Sequence, residues 1–160
     1  MNNKAKLTFC AAAALCFLAA FGGAAIPLSE HPRPDWERPQ WVNLNGEWDF
    51  GFEPGVYDRK IVVPFGWGTA LSGVKDEKGK NTGYYRRTFR VPQEWKGKRV
   101  FLVLGAADYE TEFSFDGKSL GSHVGGYTPF EFELTEFVKW GEEQTAEFKI
   151  QYPDFLLGLS

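Results

Sequence analysis

The sequence predicts an all-β fold, a β-sandwich or jelly roll, and three observations carry that prediction. Apolar and aromatic side chains recur with a period of two through much of the chain, the spacing that puts alternate residues on one face of a pleated strand. Clusters rich in glycine and proline separate these runs and read as turns. From residue 41 onward no stretch sustains a 3.6-residue apolar stripe over three turns, and Thr135 to Trp140 supports one turn at most. Several short strands joined by tight turns build a sandwich.

The chain opens with two segments of another character. Lys4 and Lys6 form a short basic region, Leu7 to Phe21 an apolar run without a charge, and Gly23-Ala24-Ala25 a set of small residues suited to cleavage. Residues 1–25 therefore read as a removable export signal. The apolar run is about 15 residues, short of the roughly 20 that span a bilayer as a helix; an uncleaved anchor is the alternative. The expected location is the periplasm or the cell exterior, with no membrane attachment after cleavage. Residues 26–40 hold four prolines and no periodicity, an extended lead-in.

Residues 41–152 carry the strands. Trp48, Phe50 and Phe52 alternate with Asp49 and Gly51; Tyr85, Arg87, Phe89 and Val91 continue the pattern. Val100 to Leu104 is a short apolar run. Phe113 and Phe115 lead into Asp116-Gly117, a strong hairpin signal because both central residues of a tight hairpin turn need positive φ. Phe130, Phe132 and Leu134 alternate with glutamates, as do Ala146, Phe148, Ile150 and Tyr152 with Glu147, Lys149 and Gln151. The polar, Gly- and Lys-rich stretch from Thr69 to Thr82 is the longest expected loop.

Composition removes several function classes. Both cysteines, Cys10 and Cys16, belong to the signal, which excludes disulfides and cysteine chemistry from the exported chain. Removing Lys4 and Lys6 from the 18 basic side chains leaves 16 against 21 acidic ones, an acidic domain unsuited to nucleic acid. Only two histidines, His31 and His123, are present, far apart and without cysteines, so no metal site and no cofactor are expected. No Gly-x-Ser-x-Gly elbow is present.

Glu110 and Glu112 share a strand face at i, i+2, which sets their carboxylates roughly 7 Å apart, within the ~6.5–9.5 Å window of inverting glycosidases. The same spacing gives a solvated acidic face on any strand, and an acid needs a desolvating pocket. No catalytic residue is assigned. Period-two placement assigns Trp48, Phe89, Phe113, Phe132 and Phe148 to the core, whereas Trp67, Trp95, Tyr127 and Trp140 lie in turn contexts. Trp67 and Trp95 are the candidates for stacking on a sugar, since flat rings match the apolar faces of sugars; packing at an interface is the alternative for these turn-context rings.

Trp41-Val42-Asn43-Leu44-Asn45-Gly46-Glu47-Trp48-Asp49-Phe50 resembles the opening motif of the N-terminal domain of glycoside hydrolase family 2. Ile61-Val62-Val63-Pro64-Phe65, Gly83 to Pro92, Gly105-Ala106-Ala107-Asp108-Tyr109 and Asp116-Gly117-Lys118 agree in order and spacing. Gly121-Ser122-His123-Val124-Gly125-Gly126-Tyr127-Thr128-Pro129-Phe130-Glu131-Phe132 closes the match. The resemblance spans about residues 36–140 and points to the β-galactosidase, β-glucuronidase and β-mannosidase group.

The resemblance implies a galactose-binding-domain-like jelly roll that precedes an immunoglobulin-like sandwich and a (β/α)₈ barrel in the family. The barrel carries the two catalytic glutamates, and no glutamate here falls in the family's catalytic motifs. The expected partners are a β-glycoside carbohydrate and those two further domains of the same enzyme. The loop from Gly121 to Phe130 is the barrel-facing one. In some β-galactosidases of the family it offers an aspartate to the sugar; here Gly125 stands at that position. His123, Gly125, Gly126 and Tyr127 are the residues expected at this rim, with Gly125-Gly126 permitting positive φ. Residues 153–160 do not resemble the family's continuation and read as a truncated tail. An autonomous carbohydrate-binding module, or a structural fragment without a ligand, are the alternative readings.

Overall fold

The computed structural model describes residues 25–30, 39–74 and 80–152. The export signal up to residue 24, most of the proline-rich lead-in and the tail 153–160 lie outside the described residues. Eight strands follow in chain order: β1 Gly46–Gly51, β2 Arg59–Val63, β3 Thr82–Arg90, β4 Phe101–Leu104, β5 Glu110–Phe115, β6 Lys118–Val124, β7 Phe130–Glu133 and β8 Glu143–Gln151. They form a six-stranded antiparallel sheet, in the order β2-β1-β3-β8-β5-β6, and a two-stranded sheet of β4 and β7. The architecture is an all-β jelly-roll sandwich, as the alternation predicts.

The period-two pattern decides which face of each strand turns inward. Trp48 and Phe50 of β1, Ile61 of β2, Tyr85 of β3, Phe113 and Phe115 of β5 and Ala146 and Phe148 of β8 are all buried on the inner face of the large sheet. Leu102 and Phe132, register partners in the small sheet, close the core from the other side. Phe113 stacks on Phe148 at 4.7 Å and reaches Phe132, also at 4.7 Å, so one ring bridges the two layers. Burying rings of this size contributes about 1.5–3 kcal/mol each. Trp48, Phe113, Phe132 and Phe148 are core as expected; Phe89 is partly buried and packs against the core.

Arg87 is the exception in the register. It falls between Tyr85 and Phe89 on the inward-facing positions of β3, yet it carries a charge. Its Nη1 donates to the carbonyls of Leu44 and Asn45 at 2.7 and 3.1 Å, and its guanidinium lies 5.8 Å from the centroid of the Trp48 ring. The carbonyls satisfy the half-buried donor, which offsets the cost of withdrawing the guanidinium from water. It thereby ties the segment before β1 to the sheet.

The outer face of the large sheet is a set of cross-strand charge pairs. Lys60 reaches Asp49 at 2.7 Å, Arg86 reaches Asp49 at 3.2 Å, Arg90 reaches Glu143 at 3.0 Å and Lys149 reaches Glu112 at 2.7 Å. The Tyr57 ring covers the Arg86 guanidinium at 4.1 Å, and its hydroxyl donates to Glu147 at 2.9 Å. Burial and the Glu147 carboxylate push the Tyr57 phenol up to about 12. Exposed pairs contribute roughly 0–1 kcal/mol each, so they favour register more than stability.

The Asp116-Gly117 turn joins β5 and β6 with φ of +48° and +75°, the left-handed geometry the dipeptide predicts. Asp116 also crosses to β8: its Oδ1 accepts from the Thr145 amide and its Oδ2 from Lys139, both at 2.8 Å. The stretch around Thr135 to Trp140 is a turn and not a helix. Buried Gln144 holds it, accepting from the Lys139 amide at 2.9 Å and donating to the Phe137 carbonyl at 3.1 Å.

Two measurements check this framework. Gln144→Leu keeps the volume and strands both backbone groups, so the chain should lose roughly 1–3 kcal/mol in urea unfolding. Acid should act through three carboxylates. The Lys60 hydrogen bond holds Asp49 below its ordinary range, the Lys139 hydrogen bond does so for Asp116, and the Arg99 hydrogen bond brings Glu133 from 4.5 to about 2. Depressed folded values mean that the stabilisation is complete above the unfolded pKa and disappears as pH falls through the folded one. Thermal midpoints should therefore be flat above pH 4.5 and drop towards pH 2.

Candidate functional site

The loop between β6 and β7 leaves one end of the sandwich. The β5–β6 register pairs Glu110 with Val124 and Thr111 with His123, and places the loop beside the segment that enters β5. The Gly125 amide donates to the Tyr109 carbonyl at 2.8 Å, which closes the two segments on each other. Gly125 has φ +134°, a backbone region that side chains rarely enter.

Gly126 is required for a different reason. A Cβ there would lie 2.6 Å from Asp108 Oδ1 and 2.8 Å from its Cγ. The missing side chain gives Asp108 its place against the loop. Asp108 is exposed, and so is Tyr127, whose side chain stands 93 % exposed beyond the glycines. An open carboxylate and an open phenol ring are groups that can accept from hydroxyls and stack on an apolar sugar face.

The structure does not place all four predicted loop residues alike. Gly125, Gly126 and Tyr127 sit in the loop. His123 turns inward instead, stacked on Phe130 with ring centroids 3.9 Å apart and planes 8° from parallel. Its register partner Thr111 alternates with buried Phe113, and that alternation fixes the direction of the imidazole. Asp108 was legible as part of a motif, but its contact with Gly126 joins two separate loops and left no periodic trace in the sequence.

The candidate stacking tryptophans are part of the packing. Trp67 lies 6.0 Å from Phe50, 6.1 Å from Phe52 and 6.3 Å from Tyr85. Gly83 admits it: a Cβ at that position would come within 2.7 Å of the indole and 2.8 Å of Phe50. Trp95 and Trp140 are likewise partly buried against the core. Of the rings in turn contexts, Tyr127 is the exposed one.

Glu110 and Glu112 both project from the outer face of β5 and are exposed. Lys149 engages Glu112 at 2.7 Å, and the outer-face cavity that Glu112 lines with Tyr57, Tyr84 and Glu147 does not include Glu110. Among the described residues no group of three His, Cys, Asp or Glu side chains could hold a metal ion, and no helix is long and apolar enough to cross a membrane.

Residues 51–154 match the family described as Glycosyl hydrolases family 2, sugar binding domain, and the chain belongs to that family. It is 36 % identical over 111 residues to a β-glucuronidase of Bacteroides fragilis, covering 67 % of this chain and 16 % of that protein. It is 37 % identical over 67 residues to a β-galactosidase of Thermoanaerobacter pseudethanolicus, covering 42 % of this chain and 9 % of that one. The solved β-D-glucuronidase of Dictyoglomus thermophilum superposes with a TM-score of 0.61 at 30 % identity, over 68 % of this chain and 19 % of that chain. The chain thus spans less than a fifth of the length of these relatives.

Trp67 separates a packing role from a stacking role. As a half-buried plug, Trp67→Ala should cost about 3 kcal/mol in urea unfolding, the lower end of the range for aromatic truncation. A solvent-facing sugar platform would be lost at little cost in stability.

Proposed function

We propose that this chain supplies the N-terminal, sugar-binding-type domain of an exported family 2 glycosidase, one resembling the β-glucuronidases, that hydrolyses O-glycosyl bonds in carbohydrate metabolism. The family match over residues 51–154, set against relatives of far greater length, is the observation that carries this reading. In this proposal the immunoglobulin-like and barrel domains, with the acid/base and nucleophile glutamates, lie outside these 160 residues. The β6–β7 loop faces them and frames the rim where a β-glycoside enters. Export rests on Lys4, Lys6, the apolar run Leu7 to Phe21 and the small residues that follow, and leads to the periplasm or beyond.

Against the autonomous carbohydrate-binding reading stands the partial burial of Trp67 and Trp95 on the core. Tyr127 and Asp108 remain as contacts that a rim would use.

Two assays test the proposal together. The purified chain should not turn over aryl β-glucuronides, β-galactosides or β-mannosides; turnover abolished by Glu110→Ala with Glu112→Ala would refute the proposal and restore the strand-face pair. Residues 41–152, exchanged for the matching domain of the Bacteroides fragilis β-glucuronidase, should give an active chimera. Tyr127→Ala in that chimera should raise KM severalfold with little change in kcat. An unaltered KM would remove the loop from the rim.

A further inference from the structure

The inner end of the sandwich holds two polar atoms that no other described group engages. Thr111 is fully buried, at 0 % exposure, and its Oγ1 has no hydrogen-bond partner among the described residues. His123 Nε2 is equally closed to solvent and equally without a partner. Strand register makes the two side chains neighbours, since Thr111 of β5 is the Cα partner of His123 of β6. Directly opposed residues face the same side with Cβ atoms about 4.5–5.5 Å apart. That side is the interior, because Thr111 alternates with buried Phe113 and Phe115, and His123 lies on Phe130.

Room exists beside the imidazole. A methyl carbon built on Gly125 would meet only His123 Nε2 within 4 Å, at 3.5 Å. The φ of +134° keeps that position a glycine, so the space persists. Buried hydroxyls and imidazole nitrogens are satisfied in nearly every folded protein, and enclosed water is the usual agent when no protein group is in reach. A water can donate to one of these atoms and accept from the other, and both atoms can serve in either sense.

We propose that Thr111 Oγ1 and His123 Nε2 share one enclosed water, and that this bridge positions the β6–β7 loop. His123 stands just before the loop and Phe130 just after it, with the rings stacked across its two stems. The water fixes the imidazole about its side-chain torsions, and the imidazole fixes Phe130. The loop bearing Gly125, Gly126 and Tyr127 is thereby held at both ends. Thr111 is a positioning residue in this scheme and touches nothing outside the domain.

Solution NMR of the isotopically labelled full chain tests the bridge. Water cross-peaks of protein-like sign should reach both the Thr111 methyl group and the His123 ring protons, as a long-lived internal water gives. Thr111→Val has the same shape without the hydroxyl. It should abolish these cross-peaks, shift the His123 ring nitrogens and lower the thermal midpoint by about 3–6 °C. Thr111→Ser, which returns the hydroxyl, should restore the cross-peaks and the ring nitrogen shifts. No water cross-peak in the wild-type chain would overturn the proposal. So would a Thr111→Val chain as stable as the wild type with unmoved His123 nitrogens.

Discussion

Phe113 lies 4.7 Å from Phe148 in its own sheet and 4.7 Å from Phe132 in the facing pair, and the layered structure depends on that double contact. A sheet cannot bury its apolar face against itself, so the six strands need a lid. The lid of β4 and β7 is only two strands wide, and a two-stranded ribbon is marginal alone. Phe132 on Phe113, with Leu102 beside it, supplies the burial that the ribbon lacks. The ribbon's position in turn sets where β7 begins, and with it where the loop after β6 must land. Packing at the centre thus fixes geometry at the rim.

The strands were legible because alternation is a local property. Trp48, Phe50, Phe113, Phe148 and Phe132 all declared an inward face within a few residues of sequence. β6 was less legible: Lys118-Ser119-Leu120-Gly121-Ser122-His123-Val124 lacks the aromatic alternation, and only the Asp116-Gly117 turn before it implied a strand. Arg87 shows the opposite case. Periodicity placed it inward correctly, but the carbonyls of Leu44 and Asn45 that accept its charge lie in a segment with no pattern. Long-range partners of this kind are chosen by the folded geometry and leave no spacing to read.

The same distinction separates the loop residues. Gly125 and Gly126 pointed to a tight loop because glycine tolerates what other residues do not. His123 was expected at the same rim, but a residue's face follows from its strand partner, and pairing with Thr111 sends it inside. Trp67 was open to either reading. It sits in a turn, which suggested exposure, while Gly83, distant in sequence, opens the space that accepts the ring. Tyr127 has no such host, and its exposure follows from the glycines before it.

Electrostatics bear on what such a domain can contribute. Among the described residues the four carboxyls whose acidity is displaced, Asp49, Asp58, Asp116 and Glu133, are all displaced downward, by hydrogen bonds from lysine or arginine. Glycoside cleavage needs the opposite, a carboxyl whose affinity for its proton is raised by burial. Among the described residues Asp49, Glu112 and Glu143 pair across strands, which keeps the outer face charged and in register. Trp48, Phe50, Phe113, Phe115, Phe132 and Phe148 are buried in the core. Asp108 and Tyr127 are both exposed beside the Gly125-Gly126 loop, where the Gly125 amide closes on the Tyr109 carbonyl.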